Sequence, residues 1–211
     1  MKAVIFDMDG VISDTNFLQS KIEEEILKKC GISLSYKEIT EKYAGMSDKE
    51  FFTKVCKDFK KKHSVDKLIK EKWKRIFAKA KIKKIKPIKG SIRLVKKLKK
   101  SGFKLGVASA SRKDFIKLVL SQLKILDYFD AITSSTEVKK GKPNPEIYLL
   151  TAKKLKVAPK DCIVIEDGKL GMLAAKKAGM KCIGLVENEK EECPADKIVS
   201  SLTKLTLEDF K

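Results

Sequence analysis

The sequence predicts an α/β fold, a Rossmann-like arrangement of three layers in which a parallel sheet lies between helices, with a helical unit inserted after the first strand. Two observations lead to this prediction. Short apolar runs alternate with helical periods over residues 87–211, which is typical of a parallel sheet with helices on both faces. Residues 15–86 show helical periods and no convincing strand. We therefore predict an α/β core from residues 1–14 and 87–211 and a helical insert from residues 15–86.

Each predicted strand is a short run rich in apolar residues. In chain order, the five runs are KAVIFD, FKLGVAS, FDAITSS, DCIVIED and KCIGLVE. The segments between them place apolar residues at helical spacing. In GSIRLVKKLKKSG, for example, Ile92, Val95 and Leu98 share one face, and Gly102 ends the helix.

The insert contains two segments with an apolar stripe at helical spacing, FLQSKIEEEILKKCG and LIKEKWKRIFAKAKI. Trp73 lies within the second stripe, which favours a place in the core over a role as a ligand platform. Thr15 is placed to cap the first helix of the insert. Pro87 and Gly90 mark the return of the chain to the sheet.

The composition supplies enough apolar residues for a core, 43% of the 211 residues, together with a formal net charge of +20. Such a charge raises the question of nucleic-acid binding. However, only Arg75, Arg93 and Arg112 among the 48 basic residues are arginine, and recognition of bases and phosphates favours the arginine fork. The lysines are spread along almost every predicted helix, which indicates solvated helix faces. Nucleic acid is therefore a disfavoured partner, while a positive field would attract anionic substrates.

The chain has no stretch of about 18 uncharged apolar residues and enters its first strand without a basic leader. We therefore expect a cytoplasmic protein without a membrane partner. The five cysteines form no Cys-x-x-Cys pair. Cys162 and Cys182 begin apolar runs and are expected to be small buried residues.

Polar side chains collect where the predicted strands end. The residues at these positions are Asp7, Asp9, Ser109, Ser111, Lys142, Glu166 and Asp167. Ligands of an open parallel sheet bind at the carboxyl ends of its strands. Crowded carboxylates require a hard cation, and oxygen ligands alone favour Mg²⁺, which prefers to share a phosphate with the protein. The serine hydroxyls, the lysine and the first amides of a following helix would then hold that phosphate.

These segments resemble the haloacid dehalogenase-like hydrolases, specifically the subfamily with a helical cap that includes the β-phosphoglucomutases and phosphoglycolate phosphatases. DMDGV resembles the first signature, Ser109 in VASAS the second, Lys142 in KGKPNPE the third and IEDGKLG the fourth. Each motif alone is common, but all four in this order, with a helical insert in the expected interval, are specific. The resemblance covers essentially the whole chain.

The resemblance implies a phosphatase reaction through an aspartyl phosphate. Asp7 would be the nucleophile, and Asp9 the general acid and then the general base. Lys142 would neutralise the charge on the nucleophile and the phosphoryl oxygens.

The resemblance also implies the binding groups. Ser109 and the Ala110 amide, together with Lys142, would hold the phosphoryl oxygens. Asp7 and Asp167 would hold Mg²⁺, with Glu166 near the metal and the Asp9 carbonyl completing its shell.

Substrate specificity is expected in the insert, at Gln19 and in the loop of Gly45, Met46, Ser47 and Asp48. Related mutases have a histidine where this chain has Gln19. They also have a phosphate-gripping arginine where this chain has Asp48, and an acid there should repel a second phosphate. We therefore predict a Mg²⁺-dependent phosphatase of a small phosphorylated metabolite, with a β-phosphoglucomutase-like mutase as the alternative.

Other enzyme classes of this family differ from the chain in the residues that they need. A haloacid dehalogenase does not need the second acid that Asp9 provides, whereas a phosphonate-cleaving enzyme would need a cap lysine that forms a Schiff base, and the insert has many lysines. An alternative without catalysis is a basic nucleic-acid-binding or scaffold protein on the same fold. The complete set of catalytic residues argues against it.

Overall fold

A computed structural model of the protein describes residues 1–43 and 45–211. Within them, six strands form one sheet in the order β3-β2-β1-β4-β5-β6, and every neighbouring pair is parallel. The strands are β1 (Ala3–Phe6), β2 (Lys104–Ser109), β3 (Ala131–Ser134), β4 (Cys162–Glu166), β5 (Lys181–Leu185) and β6 (Lys197–Val199). The predicted α/β fold class is therefore confirmed. The short edge strand β6 was not predicted, because three residues are too few to show a pattern.

Strand β1 lies at the centre of the sheet, and its continuous apolar sequence follows from burial on both faces. Successive side chains alternate between the two faces. Val4 and Phe6 belong to one apolar cluster, which also contains residues of the fifth and sixth helices, while Ala3 and Ile5 belong to a second cluster with residues of the seventh and eighth. The sheet is thus the middle of three layers.

Eight α-helices complete the architecture of the described residues. They are α1 (Asn16–Lys29), α2 (Tyr36–Tyr43), α3 (Asp48–Asp58), α4 (Val65–Ile82), α5 (Ser91–Lys100), α6 (Lys113–Gln122), α7 (Glu146–Leu155) and α8 (Lys169–Lys177). Helices α1–α4 lie between β1 and β2, in the interval predicted for the insert. None of the helices in the described part of the chain has the length and apolar character needed to cross a membrane.

Two segments that run side by side connect the helical insert to the sheet. The Asp14 backbone N–H donates to the Lys86 carbonyl over 2.9 Å, and the Ile88 N–H donates to the Ile12 carbonyl over 3.0 Å. This pairing brings both ends of the insert to the edge of the sheet where β1 ends.

Trp73 joins the insert to the layered core. Its ring is buried and lies 5.4 Å from the ring of Phe115 on α6, measured between centroids. The prediction that Trp73 belongs to the core is confirmed. Cys162 and Cys182 are also buried, as predicted, and neither forms a disulfide.

Candidate active site

A pocket lies between the carboxyl ends of the central strands and the helical insert. The parallel topology brings Asp7 after β1, Glu166 at the end of β4 and Lys142 before α7 to this edge of the sheet. The insert contributes Gln19 from α1 and Asp48 from α3. Residues that are far apart in sequence thus share one pocket.

Lys142 lies at the floor of the pocket between two carboxylates. Its Nζ donates to Asp7 Oδ1 over 2.6 Å and also contacts Glu166 Oε1. Glu166 further accepts hydrogen bonds from the Tyr148 hydroxyl at 2.8 Å and from the Gly168 N–H at 3.0 Å. Burial lowers the pKa of Lys142, but the two carboxylates outweigh that effect and raise its pKa above the usual range. The ammonium is therefore charged at any physiological pH.

Two glycines allow the backbone to approach these carboxylates closely. A Cβ atom at Gly171, in the first turn of α8, would lie 1.8 Å from Glu166 Oε1. A Cβ atom at Gly10 would lie 2.0 Å from Asp167 Oδ2, and Gly10 also has a φ of +85°. Neither position tolerates a side chain without moving a carboxylate. The glycines of DMDGV and IEDGKLG thus have a steric role at the site.

Three acidic side chains form a cluster that could hold a cation. Carboxylate oxygens of Asp7, Glu166 and Asp167 lie within 4.8 Å of one another. Burial raises the pKa of Asp7 well above its usual value, with Lys142 opposing and the neighbouring acids adding to the effect. Burial and the Glu166 carboxylate raise the pKa of Asp167 to about 8. A cation bound here would relieve this crowding of negative charge.

The donors around each carboxylate indicate which of them fit Mg²⁺. Among the described residues, Asp7 Oδ2 has no hydrogen-bond donor, and Asp167 accepts one bond from the Asn16 side chain at 2.8 Å. Glu166 is already engaged by three donors. An all-oxygen set with free lone pairs on Asp7 and Asp167 fits Mg²⁺, whereas Glu166 is better placed to orient Lys142.

The side chain of Asp9 is surrounded by hydrogen-bond donors, which compete with a metal ion for its carboxylate oxygens. Its Oδ1 accepts from the Thr15 hydroxyl and, at 2.6 Å, from Gln19 Nε2. Its Oδ2 accepts from the hydroxyls of Ser109 at 3.1 Å and Ser111 at 2.8 Å. Four donors therefore hold this carboxylate outside the cluster of three acids, so that only its backbone carbonyl remains for the metal role.

The surroundings of Asp9 bear on the predictions made for Thr15 and Ser109. Thr15 occupies the N-cap position of α1, but its side chain makes no capping bond, so the capping prediction was wrong. Ser109 is fully buried and donates to Asp9, whereas Ala110 and Ser111 line the pocket. Ala110 and Ser111 are thus directly accessible to a phosphate in the pocket, and the role of Ser109 in phosphate binding stays a prediction.

The predicted specificity residues of the insert divide into two groups. Gln19, Gly45, Met46 and Asp48 line the pocket. Ser47 instead caps α3, because its hydroxyl accepts from the Glu50 N–H while the Glu50 side chain accepts from the Ser47 N–H. Ser47 is therefore outside the pocket lining.

Asp48 is not the free acid that the sequence suggested. Lys72 on α4, which is buried, donates to Asp48 Oδ1 at 2.5 Å and lies 2.6 Å from Glu23 Oε1 on α1. The Trp73 indole N–H donates to Asp48 Oδ2 at 2.5 Å. Burial raises the pKa of Glu23 despite the nearby lysine. We call Glu23, Lys72 and Asp48 the cap triad.

The cap triad was not predicted from the sequence, although signals for it exist. Lys72 lies four residues from both Leu68 and Ile76 within an apolar stripe, a position where a solvated lysine is unexpected. Glu23 likewise lies four residues after Gln19 on one face of α1. These spacings were hidden by the abundance of lysine and glutamate on the other helices.

The insert contacts the loop that carries Lys142. The Gly141 N–H donates to Glu50 Oε1 over 3.1 Å, and a Cβ atom at Gly141 would lie 2.2 Å from Glu50 Oε2 and 2.9 Å from the Ser47 nitrogen. Only glycine permits this approach. The contact joins α3 of the insert to the residue that precedes Lys142.

The fold and the site together define an enzyme of the hydrolase class, with a parallel sheet that presents carboxylates and a lysine beneath a helical insert. The family model described as haloacid dehalogenase-like hydrolase matches residues 4–185, and the chain belongs to this family. The predicted family and the predicted enzyme class, a phosphoric monoester hydrolase of the haloacid dehalogenase type, are confirmed.

Relatives with a stated activity match the chain along its whole length. It is 34% identical to a beta-phosphoglucomutase of Bacillus subtilis, with 99% of this chain and 93% of that protein covered. It is 30% identical to hexitol phosphatase B of Escherichia coli K12, with 99% and 96% covered. The crystal structure of a beta-phosphoglucomutase from Clostridium difficile superposes with a TM-score of 0.89 at 32% identity, covering 99% of this chain and 95% of that one.

Proposed function

We propose that the protein is a Mg²⁺-dependent phosphatase that hydrolyses a small phosphorylated sugar or polyol through an aspartyl phosphate on Asp7. One observation carries the proposal. Asp7 is largely buried and lines the pocket, and one of its carboxylate oxygens has no hydrogen-bond donor among the described residues, while Lys142 engages the other oxygen and Asp9 lies in the same pocket. Relatives named as phosphatases of hexitols and phosphorylated carbohydrates support the choice of substrate class.

In the first step, the free oxygen of Asp7 attacks phosphorus and the ester bond to the leaving oxygen breaks. Asp9 donates a proton to that oxygen, so that the leaving group departs as an alcohol. Lys142, which contacts Asp7 in this buried site, offsets the negative charge that gathers on the phosphoryl group.

In the second step, Asp9 removes a proton from water as the water oxygen attacks phosphorus. The bond between Asp7 and phosphorus breaks, which releases phosphate and restores both carboxyl groups. Gln19 from the insert and three hydroxyl groups hold Asp9 as a carboxylate, the form that acts as general base. As general acid, Asp9 carries a proton on one oxygen, and that oxygen exchanges at least one of these contacts for the leaving oxygen.

Binding roles follow from the same geometry. Asp7, Asp167 and the Asp9 backbone carbonyl would hold Mg²⁺, which when bound neutralises charge on the nucleophile and the phosphoryl oxygens. The hydroxyl of Ser111 and the amide of Ala110, with Lys142, would hold the phosphate. Glu166 and Tyr148 would orient Lys142.

We assign residues 15–86 as the cap domain of this phosphatase. Its contact with Gly141 and the bond from Gln19 to Asp9 link it to the reacting groups, and such closure keeps bulk water from the first step. A cytoplasmic location stays a prediction.

The alternative reaction is that of a sugar phosphate mutase, which the similarity to beta-phosphoglucomutases favours. A mutase returns the phosphoryl group to its sugar instead of passing it to water. That reaction needs a group in the cap that grips a second phosphate. Asp48 occupies that place here, and Lys72 is bound to it.

The test is phosphate release from a panel of sugar and polyol monophosphates, with Mg²⁺ and after its removal, together with a β-glucose 1-phosphate isomerisation assay. We expect release that depends on Mg²⁺ and falls by at least about 10³-fold in Asp7→Asn, because the amide cannot act as the nucleophile. Asp14→Asn is the matched control, since Asp14 lies seven residues later and is exposed. Isomerisation without net release would replace the phosphatase by the mutase, and full activity of Asp7→Asn would refute the assigned nucleophile.

A further inference from the structure

We infer that the cap side of the pocket selects a leaving group without negative charge, one that is neutral and hydroxylated or carries an amine, and rejects bisphosphates and phosphorylated carboxylic acids. This inference rests on the proposed phosphatase function and specifies its substrate class.

Acidic side chains outnumber cationic ones in the lining of the pocket. Among the described residues, the lining contains two cationic side chains, Lys72 and Lys142, against six carboxylates. The carboxylates are Asp7, Asp9, Glu23, Asp48, Glu166 and Asp167. Lys142 is committed to Asp7 and Glu166 at the reacting end. A second anionic group on the substrate would therefore depend on Lys72.

Lys72 is not available to such a group, because both acids of the cap triad bind it. Its Nζ lies 2.6 Å from Glu23 and 2.5 Å from Asp48, and the lysine and its partners are largely buried. The indole N–H of Trp73 fixes the second oxygen of Asp48. A lysine that moved to a second phosphate would leave two carboxylates buried without a partner beside a further anion. The triad therefore repels a second anion although it contains a lysine.

The same surface suits uncharged polar groups. Carboxylate oxygens accept hydrogen bonds from hydroxyl and ammonium groups. Ser20, Thr40 and Tyr43 also belong to the lining, with their hydroxyl groups donating to the Asn16 carbonyl, the Tyr36 carbonyl and Asp58. Met46 and Phe51 add apolar residues to it. A polyol chain or an amino sugar would match this mixture.

The test compares kcat/KM for sorbitol 6-phosphate, fructose 1,6-bisphosphate and 3-phosphoglycerate, with Mg²⁺ in excess. We expect the wild-type protein to prefer the neutral monoester at least tenfold over both anionic substrates. Asp48→Asn removes one negative charge and leaves Lys72 with Glu23 as its remaining anionic partner, so it should reduce this preference at least fivefold, mainly through a lower KM for the bisphosphate. Glu71→Gln is the matched control, because it removes one charge from a half-buried position outside the pocket lining, on the same helix as Lys72, and should leave the preference unchanged.

A second variant covers the case in which Asp48→Asn does not fold. Thr40→Lys adds a cation at an exposed position on the pocket lining and should likewise reduce the preference. A wild-type protein that hydrolyses the bisphosphate as well as sorbitol 6-phosphate would overturn the inference and leave the phosphatase function intact. So would an unchanged preference in a folded Asp48→Asn or Thr40→Lys protein. Absence of phosphate release from all three substrates and from the wider panel would instead refute the proposed function on which the inference rests.

Discussion

Two buried lysines in this protein contact the same pocket, and each lies between two carboxylates. Lys142 joins Asp7 and Glu166 at the strand ends of the α/β core, while Lys72 joins Glu23 and Asp48 among the helices of the insert. The core cluster has one further acid, Asp167, close to the other two. The cap triad has an indole donor in that place.

This difference shows that a buried lysine between two carboxylates can have either a catalytic or a substrate-selecting role. In the core, three carboxylates exceed the charge of one lysine, and Asp7 keeps an oxygen without a donor, which leaves room for a cation and for attack on phosphorus. In the cap, Lys72 binds both acids and the Trp73 indole N–H binds the second oxygen of Asp48. The triad therefore forms part of the binding surface and supplies no nucleophile. The surplus of unpaired carboxylate distinguishes the chemistry of the two clusters.

The largest expected difference between the core cluster and the cap triad is the loss of kcat when the lysine of each is replaced. Lys142→Met should lower kcat for a neutral monoester by about 10²–10³-fold, because it removes the fixed positive charge next to Asp7. Lys72→Met, assayed below its unfolding temperature, should lower it by about tenfold at most, since Lys72 contacts neither Asp7 nor Asp9. Equal losses in the two variants would show that the clusters do not differ as described.

The second effect is on stability. Lys72→Met leaves Glu23 and Asp48 buried without their cation, which should reduce the free energy of unfolding by about 3–5 kcal/mol. Burial already raises the pKa of Glu23, and loss of the lysine raises it further, so Glu23 is protonated more readily when folded than when unfolded. Its contribution to folding is therefore most favourable at low pH and is lost as pH rises through its folded pKa.

Urea unfolding of Lys72→Met at acid and at mildly alkaline pH tests the direction of this pH dependence of the free energy of unfolding. The deficit relative to the wild-type protein should shrink at acid pH and grow at alkaline pH. Adding Glu23→Gln should recover part of the deficit, because it removes one of the two unpaired charges. A deficit that is constant with pH would contradict the role of the carboxylates.

A smaller effect concerns Mg²⁺ binding by the core cluster. The raised pKa of Asp167, about 8 without metal, means that this acid is largely protonated at neutral pH and must lose its proton to bind an ion. The apparent Mg²⁺ affinity should therefore rise by up to about tenfold per pH unit and level off above that pKa. Calorimetry in buffers with different ionisation heats should detect the released proton. An affinity that does not vary with pH would exclude the loss of a proton from Asp167 on Mg²⁺ binding.

The fold class and the proximity of the strand-end residues could be predicted from the sequence, because the carboxyl ends of parallel strands lie at one edge of the sheet. Asp7, Lys142 and Asp167 could therefore be brought together from motif positions alone. The spacing of Lys72 within an apolar stripe is a signal that it is buried, but its pairing with Asp48 does not follow from the sequence, since it depends on how α1, α3 and α4 pack. Thr15 was misassigned because a helix cap and a hydrogen bond to Asp9 require the same residue type.

The central claim, that Asp7 carries the phosphoryl group, is tested most directly with Asp9→Asn and an aryl phosphate. The aryl leaving group needs little protonation, so the first step should proceed, whereas the water of the second step lacks its general base. After an acid quench, mass spectrometry should find one phosphoryl group on the peptide that contains Asp7, with Asp7→Asn/Asp9→Asn as the blank. A phosphoryl group on another residue, or a first turnover of aryl alcohol with no phosphorylated peptide, would contradict the account.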